Sequence, residues 1–146
     1  MITFWCWMIT AIAGVVTVEV MDVGQGDSIL IRSPEGKTIL IDAGTGKVDI
    51  VPMLEARGVE QLNMVIGTHA HADHIGGLDE VIEAIPVKVY MDNGMPHTTR
   101  TYDRVMGLIE DKEIRYIEAK REQKFNLGPE ITLEVLHPQD ALLKNT

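Results

Sequence analysis

Four side chains that bind metal ions in proteins lie within six residues of this chain: His69, His71, Asp73 and His74. Imidazole and carboxylate groups are the usual ligands of zinc and related divalent ions, and one ion takes three or four of them. In an extended segment, residues two apart point to the same side, so His69 and His71 are predicted to hold one ion. Asp73 and His74 are adjacent, which predicts that they point elsewhere and serve a second ion a few ångströms away.

The elements on either side of this cluster predict where it lies. Residues 62–66 form an apolar run that is typical of a buried strand, and Leu78, Val81, Ile82 and Ile85 recur at helical spacing. The cluster is therefore predicted to lie on a turn between a strand end and a helix, where functional sites are commonly built. A solvated polar turn, or histidines satisfied by hydrogen bonds, is the alternative. Three histidines and an aspartate at these spacings favour metal binding.

The motif at residues 68–77, T-H-A-H-A-D-H-I-G-G, resembles the metal motif of the metallo-β-lactamase fold superfamily. Residues 21–28 (M-D-V-G-Q-G-D-S) and 41–44 (I-D-A-G) narrow the resemblance to the metallo-hydrolase domain of ComEC-type DNA-uptake competence proteins and its free-standing relatives. It extends from Val15 to the last residue. The resemblance implies an α/β (α+β) fold, a metallo-β-lactamase-like αββα sandwich built from two βα halves.

The resemblance also implies roles for residues around the motif. An aspartate at the position of Asp42 supports the metal loop through hydrogen bonds without binding the ion, and we place Thr68 with it. A strand-end aspartate that caps the following turn is the alternative for Asp42. Asp73 is the catalytic candidate as well as a ligand, because its carboxylate could orient the attacking water. Asp27 and Gln25 are weaker candidates for the mouth of the site.

Two further histidines, His97 and His137, can be explained without metal binding. His97 lies in a turn-rich loop, and it either lines the substrate cleft, as family loops at this place do, or is an exposed loop histidine. His137 ends a predicted strand before a proline, a position that needs no metal to explain it. The later family ligands, an aspartate often found in a Thr-Gly-Asp strand end and a last histidine, have no match here, and Asp140 lies too close to the preceding strand. We therefore expect a domain that is incomplete at its carboxyl end.

The remaining secondary structure follows from periodicity and from capping residues. The sequence predicts six further strands: residues 15–21, 28–32, 38–41, 87–90, 114–117 and 131–136. The first three are spaced as an antiparallel meander. One helix is predicted over residues 49–57 with Asp49 as its N-cap, and another, capped by Thr98 or Thr99, runs through Asp111.

Composition limits the function classes. The chain has 146 residues with 45% hydrophobic and 24% charged residues, as expected for one globular domain or part of one. Its formal net charge of -9 argues against tight non-specific binding of nucleic acid, although two divalent ions would offset that charge locally. The single Cys6 excludes an intramolecular disulfide.

Residues 1–13 are almost wholly apolar and are treated as a segment separate from the partial domain at residues 14–146. They are shorter than the roughly 20 residues that span a bilayer. A signal-peptide core, the stub of a membrane helix and a buried N-terminal segment all stay open at this length. The absence of a basic residue before Arg32 counts against the signal peptide. The composition of this segment favours a membrane-associated or exported protein over a cytoplasmic one.

The predicted function is a metal-dependent hydrolase with one or two divalent ions, zinc first, in which metal-activated water attacks a carbonyl or phosphorus centre. The resemblance suggests phosphodiesters, including DNA, as substrates, and thioester and lactam hydrolysis stay open. The alternative is a truncated, inactive metal-binding or interaction fragment of a larger membrane competence protein. The sequence does not determine the oligomeric state.

Overall fold

The computed structural model describes residues 14–138. Its strands are β1 (Thr17–Val20), β2 (Ile29–Arg32), β3 (Thr38–Ile41), β4 (Met64–Ile66), β5 (Val89–Asp92), β6 (Arg115–Glu118), β7 (Lys124–Gly128) and β8 (Ile131–Glu134). Its helices are α1 (Val51–Glu55), α2 (Ala72–Ile75), α3 (Leu78–Ala84) and α4 (Arg100–Asp111). No helix among the described residues has the length and apolar character needed to span a membrane. The expectation for residues 1–13 lies outside the described residues, as does Asp140.

The first six strands form one sheet in the order of the chain. The antiparallel meander of β1, β2 and β3 is confirmed. From β3 to β6 each strand pairs in parallel with the next, and the helices lie in the connections between them. Because the carboxyl ends of neighbouring parallel strands meet at one edge of a sheet, the residues that follow β3, β4 and β5 are brought together there.

Alternating side chains of the sheet face two separate apolar layers. Leu40 and Val65 pack with Leu54, Leu78 and Val105 of the helices on one face. On the opposite face, a second apolar cluster joins three strand residues with the hairpin formed by β7 and β8: Ile39, Met64, Met91, Phe125, Leu127, Ile131 and Leu133. The described residues therefore form a helix layer, a large sheet and a small sheet, three layers of the predicted αββα arrangement.

Several predicted boundaries are wrong. The helix predicted over residues 49–57 is only α1, with Ile50 at its N-cap position, although the Asp49 carboxylate does accept a hydrogen bond from the backbone N–H of Val51 at 3.1 Å. Gly58, with φ of 70°, lies in the left-handed region and is the last residue of the turn that ends the segment. By contrast, Thr99 caps α4 as predicted, accepting a hydrogen bond from the Tyr102 N–H at 3.4 Å.

Strand bounds also differ from the prediction, and β1 and β8 are shorter than the predicted residues 15–21 and 131–136. Strand β5 runs two residues further than residues 87–90, because Asp92 still pairs with Glu118 of β6. Strand β7 was not predicted at all, since its apolar residues Phe125 and Leu127 alternate over only five residues that include a lysine and an asparagine. A run this short carries little period-two signal.

Candidate metal centre

The histidine-rich motif begins where β4 ends and contains a short helix that the sequence did not predict. His71 has extended backbone angles (φ -80°, ψ 148°) and occupies the N-cap position of α2, which carries Asp73 and His74. The backbone N–H groups of His74 and Ile75 both donate to the carbonyl oxygen of His71, each at 3.0 Å. The chain therefore turns back on itself within the motif instead of passing through an open turn.

This reversal brings three imidazole rings together. The ring centroids of His69 and His71 are 4.6 Å apart, and those of His69 and His74 are 4.0 Å apart. The ring of His74 therefore lies beside that of His69, although the sequence predicted that it points elsewhere. The assignment of His69 and His71 to one ion and of Asp73 and His74 to a second stays a prediction, because rings this close together can still serve two ions about 4 Å apart.

Asp42, at the end of β3, fixes the orientation of His74. Its carboxylate is 1% exposed and accepts hydrogen bonds from the Thr68 N–H at 2.8 Å and the Thr68 hydroxyl at 2.6 Å, and it pairs with Nδ1 of His74 at 2.8 Å. An ionised carboxylate only accepts hydrogen bonds, so Nδ1 of His74 carries the proton and Nε2 keeps a lone pair. These contacts agree with the predicted role of Asp42 and Thr68, which is to hold the metal loop through hydrogen bonds.

A second grouping of potential ligands overlaps the first. Atoms of Asp27, Asp42 and His74 lie within 4.8 Å of one another, and Oδ2 of Asp27 is 3.8 Å from Nδ1 of His74. In this grouping Asp42 and Nδ1 of His74 already bond to each other, so an ion there would have to displace that hydrogen bond. Among the described residues, only the Asp27, Asp42 and His74 grouping has ligand atoms this close together. The imidazoles of His71 and His74 each contact that of His69, with Nε2 as the free nitrogen of His74, but the three rings do not offer nitrogens within the same distance of one another.

The electrostatics of the motif also suit metal binding. Burial lowers the pKa of His69 below its usual value of 6.5, and the neighbouring rings of His74 and His71 lower it further. The charges of Asp42 and Asp73 act in the opposite direction but are weaker influences on this pKa. A neutral imidazole is the form that binds a metal, so His69 is held in the state that ligation requires.

The loops at residues 21–28 and 41–44 pack closely against the backbone of the motif. Gly26, in the loop between β1 and β2, has φ of 88° and lies directly against the backbone carbonyl of Asp73, so that a Cβ atom there would overlap it. A Cβ on Gly77 would lie 2.6 Å from the carbonyl oxygen of Ala43, whose own N–H donates to the His74 carbonyl at 2.8 Å. The segments at residues 21–28 and 41–44 therefore shape the motif through close backbone contact.

The other predicted candidates lie at different distances from the motif. The side chain of Asp27 is 67% exposed beside His74, and Gln25 is exposed in the same loop. His97 is partly buried, and its ring centroid lies 5.9 Å from that of His71. His137 is exposed, and within residues 14–138 it makes no ring contact with the other histidines.

Sequence reasoning missed two residues at the end of β5. Asp92 is 5% exposed, and its Oδ1 accepts hydrogen bonds from the Gly94 N–H at 2.8 Å and from the Tyr116 hydroxyl at 2.6 Å. Asn93 donates from its side chain to the Thr68 carbonyl at 3.4 Å. A carboxylate directly after an apolar run is the signal that pointed to Asp42, and it would have pointed to Asp92 had the strand end been placed correctly.

Comparison with known proteins identifies the family. A family model described as the metallo-beta-lactamase superfamily matches residues 21–139, which is most of the chain. That span contains the motif, Asp27, Asp42 and the β5–α4 loop. The predicted fold class is confirmed, and so is the predicted resemblance to this superfamily.

Individual relatives agree with the narrower resemblance. The ComE operon protein 3 of Bacillus subtilis (strain 168) is 27% identical over 150 residues, covering 88% of this chain and 19% of that protein. The competence protein ComA of Neisseria gonorrhoeae is 40% identical over 67 residues, covering 44% of this chain and 10% of that protein. A hydroxyacylglutathione hydrolase of Xylella fastidiosa (strain M12) is 39% identical over 70 residues, covering 47% of this chain and 24% of that protein.

The chain spans less than a quarter of the length of each of these relatives. The similarity to the first of them extends over almost the whole chain, whereas the other two match less than half of it. The chain belongs to the metallo-beta-lactamase superfamily and is similar to the domain of that kind in ComEC-type competence proteins.

Proposed function

We propose that this chain is a metal-dependent hydrolase domain whose divalent ion is bound by His69, His71 and His74. The observation that supports this proposal most strongly is the contact of the His69 ring with the rings of both His71 and His74, with the His74 ring fixed by the buried Asp42. Zinc is the first choice of metal, because imidazole-rich sites with one open position are typical of catalytic zinc.

The residues fit the chemistry of such an ion. Three nitrogen donors leave a coordination position for water or substrate, and a bound divalent ion lowers the pKa of water and polarises the bond that is cleaved. Asp42 would keep the Nδ1 proton of His74 in place and so leave Nε2 free to hold the ion. Asp73, half-buried at the start of α2, is the carboxylate that we assign to orienting the attacking water, either as a ligand or beside one.

We assign phosphodiesters, including those of DNA, as the first substrate class. The similarity to two competence proteins supports this assignment. The net charge of -9 opposes approach of a polyanion, and a divalent ion in the histidine cluster reverses the potential locally. Thioesters are the second class, and the similarity to a hydroxyacylglutathione hydrolase over 70 residues supports them.

Metal content is the first test. The purified chain is loaded with zinc, dialysed and measured by elemental analysis, in parallel with a His69→Ala/His71→Ala double variant and with His137→Ala as a matched control. We expect one or two zinc ions per chain in the parent and in His137→Ala, and loss of bound zinc in the double variant. Stoichiometric zinc in the double variant would remove these residues from the ligand set.

Activity is the second test. Zinc-loaded protein is assayed with bis(p-nitrophenyl) phosphate and with a hydroxyacylglutathione thioester, using the double variant to measure background. Turnover of the diester above background supports the first substrate class, and turnover of the thioester alone supports the second. A chain that binds zinc but cleaves neither compound contradicts the enzyme proposal and supports the alternative of an inactive metal-binding or interaction fragment.

A further inference from the structure

A fourth histidine lies beside the cluster although it is distant in sequence. His97 belongs to the loop between β5 and α4, and its ring is inclined at 73° to that of His71 with 5.9 Å between the centroids. The parallel pairing of β4 with β5, through Ile66 and Met91, places the loops that follow these two strands side by side. The contact between His71 and His97 is therefore a consequence of the sheet.

The position of His97 is fixed from both ends of its loop. Upstream, the buried Asp92 carboxylate binds the Gly94 N–H and so holds the turn that follows β5. Downstream, Nδ1 of His97 lies 3.1 Å from the hydroxyl oxygen of Thr99. Thr99 is itself the N-cap of the twelve-residue helix α4. A loop anchored in this way presents its ring in a defined place.

The Thr99 hydroxyl is compatible with a His97 ring that carries its proton on Nε2. Its oxygen accepts a hydrogen bond from the Tyr102 N–H, which leaves the hydroxyl proton free to be donated to Nδ1 of His97. In that arrangement Nδ1 is the acceptor and Nε2 carries the N–H. The ring then offers a hydrogen-bond donor beside the cluster and has no lone pair left for a metal ion.

We propose that His97 is a substrate-binding residue whose Nε2–H donates to an anionic oxygen of the group bound at the His69, His71 and His74 cluster. This inference rests on the proposed function and specifies its substrate class, a phosphate ester that carries negative charge. The spacing agrees with such a role, because His97 lies outside the tight cluster, in which the ring centroids are 4.0 and 4.6 Å apart.

The test uses inorganic phosphate as the probe and calorimetric titration as the readout, so it does not depend on turnover. Zinc-loaded parent protein is compared with His97→Ala, with His97→Gln, and with His137→Ala as a control at an exposed histidine. Hydrogen bonds to charged groups are strong enough that we expect His97→Ala to weaken phosphate binding about tenfold or more. His97→Gln keeps an N–H donor and should recover part of that loss, and His137→Ala should bind as the parent does.

Three results would overturn the inference: phosphate binding by His97→Ala that equals that of the parent, a parent protein that binds no phosphate, or loss of zinc from His97→Ala, which would make His97 a metal ligand. Failure of the proposed function is recognised separately. A parent that binds phosphate through His97 but hydrolyses no ester keeps this inference and refutes the enzyme. A parent that hydrolyses diesters with His97→Ala unimpaired in phosphate binding keeps the enzyme and refutes this inference.

Discussion

Asp42 and His74 are joined by a hydrogen bond of 2.8 Å between the carboxylate Oδ2 and the imidazole Nδ1, across 32 positions of sequence. Asp42 directly follows β3, a strand in the centre of the sheet, and His74 lies in the short helix of the metal motif. Asp42 also has φ of 56°, a left-handed conformation that is uncommon for a residue other than glycine. This hydrogen bond holds the His74 imidazole in a fixed orientation relative to the sheet.

Replacing Asp42 with asparagine tests that contact. The amide lacks the charge that holds the Nδ1 proton of His74, and it offers fewer acceptor sites to Thr68. We expect zinc affinity to fall about 10- to 100-fold, the range seen when a residue that orients a ligand is removed. Competition with a chromophoric chelator measures this affinity. Asp22→Asn, at an exposed carboxylate of the neighbouring loop, serves as the control, and equal affinities for the two variants would contradict the role of Asp42.

Replacing Gly26 with alanine tests the close packing of its loop against the motif. Gly26 and Gly36 have similar φ values of 88° and 80°, but only Gly26 lies against Asp73, whereas a Cβ on Gly36 would meet nothing within 4 Å. Gly36→Ala should therefore lower the free energy of unfolding only by the about 1 kcal/mol that a left-handed backbone costs a residue with a Cβ atom. Gly26→Ala should be less stable in urea unfolding and should also bind zinc about tenfold more weakly. Indistinguishable variants would show that the loop does not position the motif.

The lowered pKa of His69 predicts how the metal-free protein responds to acid. The folded state favours the neutral ring, so the contribution of His69 to stability is fully present above the unfolded-state value near 6.5 and is lost as the pH falls from there towards the folded pKa. NMR titration of the His69 ring protons should give a midpoint below 6.5. The difference in unfolding free energy between the parent and His69→Gln should shrink over the same interval; a midpoint above 6.5 would contradict the prediction.

Ser28 is predicted to be replaceable. It is fully buried, and its hydroxyl is without a hydrogen-bond partner in the part of the chain that the structure describes. Ser28→Ala removes a desolvated polar group and should leave the free energy of unfolding unchanged or raise it by up to about 1 kcal/mol. Ser33 is also buried, but its hydroxyl accepts a hydrogen bond from the Lys37 N–H at 3.2 Å. Ser33→Ala should therefore lower the free energy of unfolding by about 1 kcal/mol in a urea experiment.

The local features of this protein could be predicted from its sequence. The four donor side chains fall within six residues, the apolar run before them forms β4, and the helical spacing after them forms α3. The cap at Thr99 and the meander at the start of the chain were predicted for the same reason. Each of these signals depends on residues that are close in sequence, within about two helical turns or within one hairpin.

What the sequence could not show depends on contacts between distant residues. The direction of His74 follows from Asp42, and the approach of His97 to His71 follows from the pairing of β4 with β5. The sequence by itself determined which donor groups this protein has and to which family it belongs. Only the tertiary structure decided which rings meet, because parallel strand pairing joins loops whose separation along the chain leaves no periodic signal.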